Sequence, residues 1–243
     1  MSDLWPRIEP LLARVEKPAR YIGMEQGSLA PEHGAGRAAF LLIYPDTYEI
    51  GLPNQGLQIL YEILNERPDA VAERAYAPWT DLEALLRANG LPLFSVDTHR
   101  PARDFDVLAF NLSAELVYTN VLNLVDLAGV PVRGDDRSPS HPVVIAGGHC
   151  AYNPEPLAEY VDAFVIGDGE EAIGEIADVI GAWKRGGRAS RVRGTAWPHG
   201  CSITRSGVLS SRYCYRRCME RAASATRRRT GSVTRLRHRC SSP

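Results

Sequence analysis

From residue 38 onward, unbroken apolar runs alternate with apolar stripes at helical spacing. Residues 38–44 form a run of strand length ended by Pro45-Asp46. Asn54 then stands where it can cap a helix whose Leu57, Leu60, Tyr61 and Leu64 fall at i, i+3, i+4 and i+7. Thr80 and Glu83 have capping-box spacing ahead of Leu82, Leu85 and Leu86, and Gly90 is placed to stop that helix in a left-handed conformation. Residues 92–96 read as a short strand and 106–112 as a longer one. A stripe of Val117, Val121, Leu124, Val125 and Ala128 follows, ended by Gly129 and Pro131. Two further runs, 143–146 and 164–166, stop at Gly147-Gly148 and at Gly167-Asp168-Gly169. The last stripe, Ile173, Ile176, Ala177, Ile180 and Trp183, has Glu170 and Glu171 in its first turn, where the helix dipole favours them.

Strands that alternate with helices imply a parallel sheet, because parallel neighbours need a crossover. The expected fold is α/β, a doubly wound Rossmann-like (flavodoxin-like) sheet of five or six strands with helices on both faces, spanning residues 38–185. Residues 1–37 read as an amino-terminal helix (Leu4, Ile8, Leu11, Leu12, Val15) and a glycine-rich connector, and residues 186–243 as a separate tail. Ligands of such sheets sit beyond the carboxyl ends of the strands. Glycine there lets a ligand approach the backbone without meeting a Cβ, so Gly147, Gly148, Gly167 and Gly169, with Asp168 between them, all point at one site.

Charge divides the chain. Through Asp178 there are 28 acidic residues against 12 basic ones, and beyond it only Glu220 against 16. No apolar run approaches the roughly 20 residues of a membrane span, and the first residues lack a charged-then-apolar signal pattern. The expectation is a cytoplasmic protein with no membrane partner.

After the first strand comes Asp46-Thr-Tyr48-Glu-Ile-Gly51. Its spacing is similar to the Asp-x-His-x-x-Gly loop of cobalamin-dependent mutases and methionine synthases, in which the histidine is the lower axial ligand of cobalt. Tyr48 takes the histidine's place, and a phenol with a pKa near 10 is a poor metal donor at neutral pH. The loop therefore predicts a His-off corrin at most. Pro45, Asp46, Tyr48 and Gly51 on this loop join the candidate site; packing by Tyr48 is the alternative role. His149 and Cys150 beside the glycine pair are given no catalytic part, since no His/Asp arrangement surrounds the thiol, and Trp79 either lines a pocket or closes the core.

Read together, Arg20-Tyr-Ile-Gly-Met-Glu25, residues 39–51, residues 58–68, residues 73–79, residues 115–123 and Asp162-Ala-Phe-Val-Ile-Gly-Asp-Gly-Glu170 resemble the amino-terminal, cobalamin-binding-like domain of a bacterial radical S-adenosylmethionine family. The likeness covers about residues 18 to 185. It implies a cobalamin-like cofactor on this domain, with Ser113 and Glu115 after the 106–112 strand on the cofactor face (helix capping is the alternative role of Ser113), and, in the full-length family, a following barrel whose Cys-x-x-x-Cys-x-x-Cys motif holds a four-iron cluster that cleaves S-adenosylmethionine. That barrel is the implied partner.

The sequence departs from the family pattern where that motif belongs. Cys214-Tyr-Arg-Arg-Cys218-Met-Glu-Arg221 has arginine at the third thiolate position, and a cluster open to S-adenosylmethionine needs three. The chain thus reads as a fragment truncated before the barrel, with no catalytic residue and no metal ligand of its own. From Arg191 onward hydrophobic periodicity is lost and neither Lys nor Asp occurs, which fits an out-of-frame or disordered tail. Zinc held by Cys201, Cys214, Cys218, His238 and Cys240 has no common finger spacing behind it, and the arginines of the tail predict nonspecific phosphate adhesion rather than specific nucleic-acid recognition. Two function classes remain: a cobalamin-like cofactor module of a radical S-adenosylmethionine protein, and a stand-alone flavodoxin-like protein that binds a nucleotide, a flavin or a partner.

Overall fold

The computed structural model describes residues 3–186, apart from 26, 30, 31 and 35, together with the backbone of 207–209. The cysteines, His238 and arginines singled out in the tail lie outside the described residues.

Helix α1 (Trp5–Leu12) buries Ile8, Leu11 and Leu12, and the short α2 (Ala19–Ile22) follows it. Strand β1 (Ala38–Tyr44) is buried along its whole length, as an unbroken apolar run requires. After it come α3 (Tyr48–Gly51), α4 (Gln55–Glu66), β2 (Ala70–Tyr76), α5 (Thr80–Ala88), β3 (Val107–Asn111), α6 (Tyr118–Leu127), β4 (Val143–Gly147), β5 (Ala163–Val165) and α7 (Gly169–Arg185). The strand order is β2-β1-β3-β4-β5, all parallel, with residues 207–209 as a further parallel strand, β6, beside β5. The chain reverses direction across the sheet between β1 and β3, which is the topological switch point of a flavodoxin-like sheet.

Alternation along β1 divides the core. Ala39, Leu41 and Ile43 face a cluster with α1, α5 and α6; Phe40, Leu42 and Tyr44 face a second cluster with α4 and α7. The helices thus form a layer on each side. Two of them end as glycine dictates: Gly90 (φ +60°) and Gly129 (φ +71°) are left-handed, with Leu91 N–H donating to Leu86 O and Val130 N–H to Val125 O. Each closes the 6→1 bond of a Schellman motif.

Two expectations need correction. Residues 92–96 are not a strand; among them only Phe94 makes a β-bridge, to Pro101. The second strand is instead β2, in which Glu73 and Arg74 are both buried. The Thr80/Glu83 capping box does not form: Trp79 is the cap residue, and Glu83 pairs with Arg87 and Asn123. The β4–β5 crossover also lacks an α-helix, because Pro154 and Pro156 restrict it to short 3₁₀ turns that bury Ala151 and Leu157.

The outer edge of β2 is closed by side chains. Asn65 takes both free groups of Ala72, donating to its carbonyl at 3.1 Å and accepting from its N–H at 2.9 Å. Asp97 accepts from Arg74 N–H at 2.7 Å, and Val96 N–H donates to Arg74 O at 2.8 Å. An edge strand so occupied cannot template another chain.

Candidate functional site

The carboxyl ends of the strands carry the predicted residues, and the structure sorts them into two groups. On the β3–β4 side, Asn111 pairs in register with Gly147 at the ends of their strands. Gly148 has φ +100°, and a Cβ there would lie 3.0 Å from Leu112 O and 3.1 Å from Asn111 Oδ1, so glycine is required twice over. Ser113 shares a 2.7 Å hydrogen bond with the Tyr44 hydroxyl across the gap between β3 and β1, instead of capping α6. Asn111 Nδ2 donates to Asn54 Oδ1 at 3.3 Å, and the same oxygen caps α4 by accepting from Leu57 N–H at 2.9 Å. Pro45 is buried, and its carbonyl accepts from Asn120 Nδ2 at 2.9 Å.

Gly167, with φ +103°, has no atom within 4 Å of where a Cβ would stand, so open space lies over its backbone. Asp168 is exposed at the start of α7 and makes no side-chain cap. Gly169 lies against Leu60 of α4, 3.4 Å from the place a Cβ would take. The N-termini of α4 and α7, which pack side by side on one face, therefore both open toward this edge. Glu115 is exposed and accepts from Asn153 Nδ2 at 3.1 Å, tying together the loops after β3 and β4.

The second group lies on the β2 side. Tyr48 donates its hydroxyl to Glu25 of the amino-terminal connector and meets the Tyr76 ring edge-on, centroids 5.4 Å apart. Burial, and then the bond to the Glu25 carboxylate, push the Tyr48 phenol well above its ordinary pKa. A phenol held protonated and turned to Glu25 does not offer an oxygen to a metal. Gly51 is buried, and a Cβ on it would stand 2.4 Å from the Tyr76 ring; this glycine makes room for packing. Asp46 accepts from Thr47 N–H through its carboxylate, and from Ala77 N–H through its carbonyl, which joins the loop to the end of β2. Tyr48 and Gly51 are thus engaged by β2 and the connector, while Ser113 and the glycine pair are engaged across β3 and β4.

The polar floor at this end of the sheet contains residues that sequence reasoning passed over. Asn111 ends an otherwise apolar strand, and that break in pattern was its one available signal. Tyr44 was read as part of an apolar run and Asn54 as a cap alone. Around this floor, exposed apolar side chains stand in the loops after four successive strands: Ile50 after β1, Trp79 after β2, Leu116 after β3 and Tyr152 after β4. Leu116 is 91% exposed.

Among the described residues, no group of three or more His, Cys, Asp or Glu side chains is arranged to hold a metal ion, and no helix is long and apolar enough to cross a membrane. A search of curated proteins returns no match to the chain. A family model described as the N-terminal region of radical SAM proteins matches residues 56–196, more than half of the 243. That span takes in β2 through β5, the helices to α7 and the glycine turns after β4 and β5, and the chain belongs to this family of radical SAM protein N-terminal domains.

Proposed function

We propose that this domain is a cofactor-binding module that carries a cobalamin-like group over the carboxyl edge of its sheet, in service of the radical chemistry of its family. The observation that carries the reading is the backbone exposed at the carboxyl ends of β4 and β5, beside the β1/β3 switch point: Gly147 half-exposed, Gly148 and Gly167 exposed, and clear space above Gly167. A flat macrocycle needs such an edge, because side chains there would hold it off the strands. The exposed Ile50, Leu116 and Tyr152 supply apolar contacts around a polar floor, the usual composition of a small-molecule site.

The fit is to a platform and not to a metal-ligating site. Ser113, Gly147, Gly148, Gly167 and Gly169 would hold the group, and Asn54 and Asn111 would meet its polar substituents. When bound, a corrin supplies a cobalt centre that carries an alkyl group or an electron. The work of this chain is to bind and orient. The Tyr44–Ser113 and Asn54–Asn111 bonds fix the polar residues beneath the site, and Tyr48, committed to Glu25, would not serve as a ligand to the group's metal. No residue described is assigned a catalytic role. Initiation of the radical belongs, in this reading, to an iron–sulfur barrel, since the sequence places Arg221 where a third thiolate would be needed.

The test is retention of hydroxocobalamin through gel filtration. A red chromophore that coelutes with the protein supports the proposal. Failure to retain it, with retention of flavin mononucleotide under the same conditions, favours a flavodoxin-like carrier, a reading for which the shared strand order speaks.

A further inference from the structure

The carboxyl end of β2 holds a second, much smaller site. A cavity with room for about one water molecule lies between α2, α3, α5 and the loop before β3, walled by Leu82, Leu86, Leu93 and Phe94 on its apolar side. Arg20 and Tyr76 also line it. Both residues are at least nine-tenths buried, and on each a polar atom, Arg20 Nη1 and the Tyr76 hydroxyl, lacks a protein partner. The rest of the Arg20 guanidinium is engaged by Glu49, with Nη2 2.8 Å from its carboxylate, and lies over the Trp79 ring at 5.3 Å.

Native proteins leave few buried donors unpaired, and an internal water commonly satisfies those that remain. A cavity of one-water size lined by the two residues that carry such atoms meets both conditions for an internal water, which are room and polar partners. We propose that this cavity binds a single internal water that hydrogen-bonds the Tyr76 hydroxyl and Arg20 Nη1. The water ties β2 to α2 beside the loop that carries Tyr48 and Gly51, and so stiffens one wall of the carboxyl edge. A dry cavity would instead leave the Tyr76 hydroxyl a pure liability. The two states therefore predict opposite signs for its removal.

The experiment pairs Tyr76→Phe with a high-resolution crystal structure of the unsubstituted protein. The expected results are an ordered water within hydrogen-bond distance of the Tyr76 hydroxyl and a Tyr76→Phe variant whose thermal midpoint is lower by a few degrees. A cavity without density, or a Tyr76→Phe variant at least as stable as the parent, overturns the proposal. Water-to-amide magnetisation transfer at residues lining the cavity is the check in solution: its presence on the parent and loss in Tyr76→Phe is required.

Discussion

Glu73→Gln is the substitution whose effect follows most fully from the structure. Glu73 is completely buried on β2, with its carboxylate hydrogen-bonded to His33 of the connector and accepting the Thr98 hydroxyl at 2.7 Å. Burial alone would push its carboxyl up, but the hydrogen bonds from His33, Ser95 and Thr98 outweigh burial and hold it below the ordinary value of 4.5. Glutamine keeps the shape and one acceptor, and turns an NH₂ toward groups that were donating. Hydrogen bonds to a charged group contribute about 1.5–3 kcal/mol each. Thr98 can rotate to accept from the new amide, so the net loss is set near one such bond, about 2–3 kcal/mol. That is a large fraction of the roughly 5–15 kcal/mol that holds a domain together, and for a domain of this size it lowers the thermal midpoint by roughly 4–12 °C. The pH dependence has a definite sign. A carboxyl whose folded pKa is depressed contributes stability above its unfolded pKa and loses it as pH falls toward the folded value. The gap between parent and Glu73→Gln should therefore be full at pH 7.5 and shrink below the ordinary carboxyl value of 4.5. Urea unfolding followed by circular dichroism across that range measures both quantities. Equal stability at pH 7.5, or a gap that does not change with pH, would show that the Glu73 carboxylate does not stabilise the fold in this way.

Three further outcomes are expected. Asn65→Ala strips the partners from Ala72 N–H and C=O on the β2 edge; it should cost about 1–3 kcal/mol and introduce concentration-dependent association visible by light scattering, and a monomer of parental stability would contradict it. Arg137→Met removes the buried guanidinium that donates to Pro131 O, Val132 O and Tyr160 O and pairs with Asp162 at 2.9 Å. Leaving that carboxylate behind should destabilise by about 3–5 kcal/mol, read by chemical denaturation. Gly148→Ala forces a Cβ to 3.0 Å from Leu112 O at φ +100° and should lose about 1–3 kcal/mol, whereas alanine at Gly186, which has no left-handed φ, should lose far less in the same unfolding assay.

The apolar pattern was a faithful guide wherever burial alone decides structure. The unbroken run of β1, the stripe of α4 under its Asn54 cap and the glycine stops at Gly90 and Gly129 were all legible, because each depends on neighbours a few residues away. β2 was not. Its centre is Glu73-Arg74, and two charges in succession look like a solvated turn until partners distant in sequence, His33 and Asp97, are known. Residues 92–96 misled for the opposite reason. They are apolar enough for a strand, but they fold against the outside of β2, where Val96 supplies one edge bond and Asp97 another. At the candidate site the glycines were legible through their loss of a Cβ. The separation of Tyr48 from Ser113 was not, since it is made by Glu25 and Tyr76, and no local spacing encodes either contact.

The proposal that a flat cofactor would bind over the glycine edge without a ligand from the loop after β1 is decided by equilibrium dialysis of hydroxocobalamin against the parent, Gly167→Leu and Tyr48→Phe proteins. Expected are binding by the parent, at least tenfold weaker binding by folded Gly167→Leu, whose side chain enters the space now open above residue 167, and no change for Tyr48→Phe. Absence of binding to the parent, undiminished binding by Gly167→Leu, or loss of binding on removal of the Tyr48 hydroxyl would contradict it.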